Sequence, residues 1–173
     1  MNETVQTLLT RRSIRKFTDR PIDREVLETI ARCAIYAPSA MNRQTWQFTV
    51  LDDTEKIQRL AGIVAKAYGA GEDYDFYRPT AVIIASNQRD NPHGCADCSC
   101  GLENIFLAAK ALGIGSVWIN QLNTTCDDPA LRAELTRLGV PEDHRVYGMA
   151  ALGYPAEEGR PANKNPDAIR FVK

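Results

Sequence analysis

Ten residues into this 173-residue chain, the stretch RRSIRKF, Arg11 to Phe17, places four cations in six positions around a single serine, Ser13. Three uses are open to Arg11, Arg12, Arg15 and Lys16: a solvated helix end, a nucleic-acid arm, or half of an anion-binding site. Taken alone, the cluster suits the negative pole of a helix C-terminus. The chain carries 21 Lys and Arg against 22 Asp and Glu, so no summed positive field supports nucleic-acid binding and the cluster must act locally. A second polar stretch, YAPSAMNRQTWQF from Tyr36 to Phe48, presents Ser39, Asn42, Arg43 and Gln44 between a proline stop and a strand.

Other chemistries find little support. Only His93 and His144 are available as imidazole bases; neither lies in a nucleophile-elbow or metalloprotease motif, and there is no phosphate-binding Walker sequence. LGIGSVWI holds a Gly-x-Gly, but it runs from helix to strand, the reverse of a dinucleotide fingerprint, and Gly113 reads as a helix end. HGCADCSC gathers His93, Cys95, Cys98 and Cys100 without a second pair to complete a tetrahedral metal set, so these read as thiols in a loop and helix, and Cys33 and Cys126 as packing residues. Five cysteines are an odd number and fit reduced thiols. MNETVQTLLT carries an acid and no long apolar run, so neither a signal peptide nor a membrane span is expected, and the expected compartment is the cytoplasm.

The elements that must position these residues follow from periodicity. Val5, Leu8 and Leu9 recur at helical spacing ahead of Arg11; a second helix opens at Asp23, with Ile22 and Leu27 as a staple, and stops at Pro38. WQFTVLDD alternates as a strand, and DTEKIQRLAGIVAKAYG returns to helical period through Ile57, Leu60, Ala61, Val64 and Tyr68. RPTAVIIASN reads as a buried strand, and Asp97 to Leu112 as the most apolar helix. GSVWIN is a short strand, and DDPALRAELTRLGVP a helix capped by Asp127 with Pro129 in its first turn. RVYGMAALGYP closes the core as a strand, and the Pro-, Gly- and Asn-rich residues 155–173 form a surface tail ending IRFVK.

Together the two polar stretches resemble the nitroreductase-like family of FMN-dependent oxidoreductases. Arg11, Ser13, Arg15 and Phe17 match its opening Arg-x-Ser-x-Arg/Lys-x-Phe pattern, and Pro38, Ser39, Asn42, Gln44, Trp46 and Phe48 match its Pro-Ser-x-x-Asn-x-Gln-Pro-Trp-x-Phe pattern. ADCSCGLENIFLAAKALGIGSVWI is similar to its core helix and following strand, and AALGYP to its last core strand. The resemblance implies a single α+β domain over residues 1–173, with a central mixed, largely antiparallel sheet flanked by helices. It implies an interlocked homodimer with tail 155–173 reaching the partner; the balanced charge and the lack of a membrane-length apolar run lead to no expected nucleic-acid or membrane partner.

For the site, the resemblance implies tight, non-covalent FMN. Arg11 and Ser13 would meet its phosphate and ribityl end, where the Arg12 guanidinium could also supply charge, Arg15 its pyrimidine edge, and Pro38, Ser39, Asn42 and Gln44 its ring. Ile119, Asn120 and Gln121 would lie beside the reactive nitrogen, and Arg160 or Lys164 would add a cation to the phosphate. The protein itself would supply no certain catalytic residue, Arg15 giving electrostatic support only, and no metal. The implied reaction is ping-pong transfer from NAD(P)H to a nitroaromatic, quinone or activated alkene. A flavin-binding or electron-transfer protein without NAD(P)H-driven turnover is the alternative, and a colourless interaction protein a further one. Thr45 stands where the family commonly has proline, a departure expected to loosen the loop, and Asn120 stands where several members have glutamate.

Overall fold

The computed structural model describes residues 1–71 and 73–172 and sets them out as α1 (Glu3–Thr10), α2 (Arg24–Ala34), a 3-10 turn (Ala40–Asn42), β1 (Trp46–Leu51), α3 (Thr54–Tyr68), β2 (Ala81–Gln88), α4 (Gly94–Ala111), β3 (Gly115–Ile119), α5 (Gln121–Thr125), α6 (Pro129–Arg137), β4 (His144–Gly153) and a second 3-10 turn (Pro166–Ala168). The strands lie in the order β1-β2-β4-β3, and every neighbouring pair is antiparallel. Among the described residues, the parallel component is a single bridge between Ser13 and Ser116. This is the expected α+β architecture.

β2 is an unbroken apolar run because helices cover both of its faces. Val82 and Ile84 pack with Ile57, Leu60 and Val64 of α3, Leu122 of α5, and Leu131 and Leu135 of α6. Ala81, Ile83 and Ala85 face the opposite way, onto Leu27 and Ile30 of α2 and Cys98, Leu102 and Ile105 of α4. The register slips between Ala85 and Ser86, so that β4 carries an extra residue at Tyr147. Such a bulge re-aims the strand beside it. Glu134, almost fully buried, ties α6 to α3: Arg137 donates to both its oxygens and Arg59 Nε lies 3.3 Å from Oε2.

Several sequence expectations shift. The α4 helix begins at Gly94, ahead of Asp97, and takes in all of Cys95, Cys98 and Cys100. Asp128, not Asp127, caps α6, accepting from the N–H groups of Ala130 and Leu131, which leaves Asp127 to pair with Arg89. Asp23 occupies the cap position ahead of α2 but turns its carboxylate to Arg20 and the Tyr154 hydroxyl. The apolar stripe of α1 is real yet uncovered, with Val5 43%, Leu8 50% and Leu9 58% exposed. Tyr68 and Leu112, placed on apolar faces by periodicity, are also exposed. The short α5 helix has no counterpart in the sequence pattern. The tail runs extended over the surface, leaving Ile169, Phe171 and Val172 at least 70% exposed.

Candidate functional site

RRSIRKF leaves α1 and straightens along the outer edge of β3. The Ile14 N–H donates to the Ser116 carbonyl at 3.0 Å, and Phe17 pairs with Pro155. Extended backbone sends alternate side chains to opposite faces, so the cluster divides. Arg11 and Ser13 line a recess of about 130 Å³ with Glu103, Phe106, Ser116, Val117 and Trp118. Arg12 and Ile14 line a separate hollow with Gly115, Pro155 and Gly159.

The two arginines have different occupations. Arg12 Nη1 donates to the carbonyls of Leu9 and Arg11, at 2.9 and 2.6 Å, and so closes the end of α1. Arg11 Nε lies 3.8 Å from Glu103 Oε1, an ion pair beyond hydrogen-bond reach. Among the described residues, neither the Arg11 guanidinium nor the Ser13 hydroxyl makes a hydrogen bond. The recess thus holds a cation and a hydroxyl against an aromatic wall, Phe106 and Trp118 with centroids 5.8 Å apart. Arg15 is exposed; its backbone N–H donates to Glu157 Oε1 at 3.0 Å, and its guanidinium lies 5.9 Å from the Tyr77 ring centroid. Tyr77 stands in a run of three left-handed residues, Phe76, Tyr77 and Arg78, with φ of 57°, 69° and 51°.

The second stretch forms an exposed loop under tight control. Met41, Asn42 and Gln44 have φ of 54°, 54° and 51°, a conformation that costs a non-glycine residue about 1–2 kcal/mol. The Gln44 side-chain amide donates to Asn42 Oδ1 at 2.9 Å, and the Gln44 N–H donates to Ser39 Oγ at 3.2 Å. Pro38, also exposed, leads into the loop. Thr45 corrects an expectation: its hydroxyl donates to Asn87 Oδ1 at 2.7 Å and accepts from Asn91 Nδ2 at 3.0 Å, so it fastens the loop that a missing proline was expected to loosen.

Past β3, Ile119 is buried, Asn120 is exposed and accepts from the Trp118 indole N–H at 3.3 Å, and Gln121 opens α5 with its Oε1 buried and without a hydrogen-bond partner among the described residues. Arg160 and Lys164 are exposed, and among the described residues neither makes an ion pair or hydrogen bond. None of Pro38 to Gln44 lines the recess of Arg11 and Ser13. One chain therefore presents Arg11 and Ser13 apart from the loop that carries Asn42 and Gln44.

The remaining nucleophile and base candidates lie elsewhere. Burial pushes the Cys98 thiol up to about 12, which keeps it protonated at neutral pH. His144 is buried with Nδ1 3.0 Å from Ser86 Oγ, and burial lowers its pKa, favouring the neutral ring. Sequence reasoning missed Glu103, Phe106, Ser116 and Trp118 as walls of the recess. A signal existed: Ser116 and Trp118 share one face of a period-two strand, and Glu103 and Phe106 are helical neighbours.

Comparison with known proteins bears on this geometry. The model of the Nitroreductase family matches residues 8–154. A relative from Archaeoglobus fulgidus, whose name includes NAD(P)H nitroreductase, is 37% identical over 161 residues, 91% of this chain and 88% of its own. An NADPH-flavin oxidoreductase from Vibrio harveyi is 34% identical, covering 90% of this chain and 67% of its own. The crystal structure of a nitroreductase with bound FMN from Bacteroides fragilis superposes with a TM-score of 0.92 at 40% identity over the whole of both chains.

Proposed function

The chain belongs to the nitroreductase family, and from that premise we propose that it is an FMN-dependent oxidoreductase passing electrons from NAD(P)H to a small oxidised acceptor by a ping-pong cycle. The acceptor class is a nitroaromatic, a quinone or an activated alkene. The observation that carries the proposal is the recess in which the Arg11 guanidinium and the Ser13 hydroxyl, without a hydrogen-bond partner among the described residues, face the aromatic wall of Phe106 and Trp118. A phosphate with close to two negative charges suits a guanidinium fork and a hydroxyl, and an isoalloxazine ring suits an aromatic and amide surround. The donor set fits FMN. The bound FMN of the Bacteroides fragilis structure and the flavin-reductase name of the Vibrio harveyi relative support it.

Arg11 and Ser13 would hold the phosphate and ribityl end, with Arg12 adding charge there while its Nη1 stays on the α1 carbonyls. Lys164 or Arg160 would bring a further cation from the tail. Arg15 would place a fixed positive charge at the pyrimidine edge, where two-electron reduction concentrates negative charge. Asn42 offers both a donor and an acceptor to the imide edge, with Gln44 bracing it and Pro38 and Ser39 shaping the approach. The backbone of Ile119, Asn120 and Gln121 would lie beside the reactive nitrogen. FMN, when bound, supplies the hydride and electron chemistry; the chain's own groups orient, neutralise charge and exclude water.

We also propose that two copies complete each site. A recess of about 130 Å³ is smaller than common cofactor pockets of roughly 300–1,000 Å³, and the loop carrying Asn42 does not line it. The uncovered stripe of α1 and the exposed Ile169, Phe171 and Val172 of the tail are surfaces that a partner copy would bury. Among the described residues no helix is long and apolar enough to cross a membrane. Five free thiols, Cys95 and Cys100 exposed, fit a reducing compartment, and we assign the protein to the cytoplasm.

The test is an absorbance spectrum of purified protein with and without added FMN, followed by anaerobic titration with NADH and NADPH. Flavin bands bleached by a nicotinamide and restored by a quinone support the proposal. A yellow protein that neither nicotinamide bleaches would instead be an electron-transfer module. A protein that takes up no FMN overturns the proposal. Light scattering at micromolar concentration checks the twofold assembly.

A further inference from the structure

We infer that Asp97 is a positioning residue, the buried anchor that sets the conformation of the loop carrying Asn42 and Gln44; its consequence for cofactor binding rests on the FMN function proposed above. Asp97 is 4% exposed and lies in the first turn of α4, 57 residues from its partner in the loop. Its Oδ1 accepts the Ala40 N–H at 2.9 Å, and its Oδ2 accepts from Asn91 Nδ2 at 3.2 Å. The same Asn91 amide donates to Thr45 Oγ1, and Thr45 donates to Asn87. One buried polar cluster therefore grips the loop at both ends, Ala40 and Thr45.

Between those grips lie Met41, Asn42 and Gln44, all left-handed. Asn42 tolerates this conformation, but the Cβ of Met41 and of Gln44 opposes positive φ. The Gln44 to Asn42 and Gln44 to Ser39 hydrogen bonds lie within the loop and travel with it. The contacts that fix the loop against the protein body are those of Ala40 and Thr45. A hydrogen bond to a buried carboxylate is among the stronger kinds, and its neighbours here are satisfied by it. Without Asp97 the Ala40 grip is lost and the loop is held to the protein body at Thr45 alone, so the Asn42 and Gln44 amides leave the orientation in which they meet the ring.

Asp97→Ala, Asp97→Asn and Ala40→Pro are the variants that test this. The proline removes only the donating N–H and sits at the first position of a 3-10 turn, where it is tolerated. The readouts are FMN dissociation constant by fluorescence, visible circular dichroism of bound flavin, and amide exchange over residues 41–45 in FMN-free protein. Asp97→Ala and Ala40→Pro are expected to weaken FMN binding about 10- to 100-fold, alter the flavin dichroism and speed exchange in the loop at least about tenfold. Asp97→Asn keeps an oxygen for the Ala40 N–H but turns an amide donor toward Asn91 Nδ2, and is expected to fall between wild type and Asp97→Ala. Wild-type affinity, dichroism and exchange in both Asp97→Ala and Ala40→Pro overturn the inference, as does Asp97→Asn failing as far as alanine. If Asp97→Ala does not fold, Ala40→Pro decides alone. Wild-type protein that takes up no FMN sinks the proposed function, while the exchange rates still decide the anchor.

Discussion

A methyl group at Gly148 would be enough to disturb the aromatic wall of the candidate site. An added Cβ would lie 2.9 Å from Trp118 Cζ2 and 3.0 Å from both Trp118 Cε2 and Leu102 Cδ1, against a favourable carbon–carbon separation of roughly 3.5–4.0 Å. Leu102 is fully buried in the α2/α4 core and has nowhere to withdraw, whereas Trp118 is 36% exposed and can swing outward. Overpacking of this kind costs about 1–3 kcal/mol, and a yielding ring puts Gly148→Ala in the lower half. The loss of unfolded-chain entropy returns about 0.5 kcal/mol, leaving a net destabilisation of about 0.5–1.5 kcal/mol. With a urea slope of about 2 kcal/mol/M, the midpoint falls by about 0.3–0.7 M. The displaced indole also loses its contact with Asn120 and changes the recess, so FMN affinity should drop with it. Urea titration followed by far-UV dichroism gives the first number, and Trp118 emission in a Trp46→Phe background the second. A midpoint within about 0.1 M of wild type, together with unmoved Trp118 emission, would refute the close packing of Gly148.

Arg11→Ala should raise the FMN dissociation constant about 10- to 100-fold, while Arg12→Ala, which releases the α1 carbonyls, should lower the unfolding free energy by about 0.5–1 kcal/mol and affect FMN less; equal FMN losses would contradict the division of the cluster by strand alternation. Arg15→Ala should lower the flavin midpoint potential and slow reduction by NAD(P)H, and an unchanged potential in a fully loaded variant would remove that role. Glu134 is held below its ordinary value of 4.5, first by hydrogen bonding from Arg137, so its contribution is present above pH 4.5 and is lost as pH falls through the lower folded value. Glu134→Gln should therefore be less stable than wild type at pH 7 by about 1–2 kcal/mol, with the gap closing in strong acid. A gap that stays constant from pH 7 to strong acid would show that the Arg137 and Arg59 contacts do not depend on the charge.

Helices and strands could be read from the chain wherever periodicity and burial agree, as along Ile57, Leu60 and Val64 or through the AVIIA run of β2. Where they part company, the pattern misleads in definite ways. Val5, Leu8 and Leu9 announce an amphipathic helix without saying that its apolar stripe lies open on this chain. Asp127 and Asp128 both precede Pro129, and either could cap α6; the choice was made by Arg89, 38 residues away, which takes Asp127. QLNTT is too short for any helical period, and α5 exists because Leu122 is fully buried in the core and Thr125 returns its hydroxyl to Gln121.

The site divides along the same line between local and distant causes. Arg11, Ser13 and Arg15 declare themselves by spacing, because alternation along an extended segment is a local property and two residues apart means one face. The conformation of the Ser39–Gln44 loop is not local. Its donors and acceptors are met by Asp97, Asn91 and Asn87, which lie 57, 46 and 42 residues from their loop partners. Propensity at Met41 and Gln44 argues against the geometry observed, so sequence reasoning that follows propensity must fail there. Thr45 shows why the failure is informative. A proline would stiffen the loop through its own ring, whereas threonine transfers that control to the buried cluster. The loop's shape then depends on α4 and the end of β2, and a substitution in the core can reach the ring-binding amides without touching them.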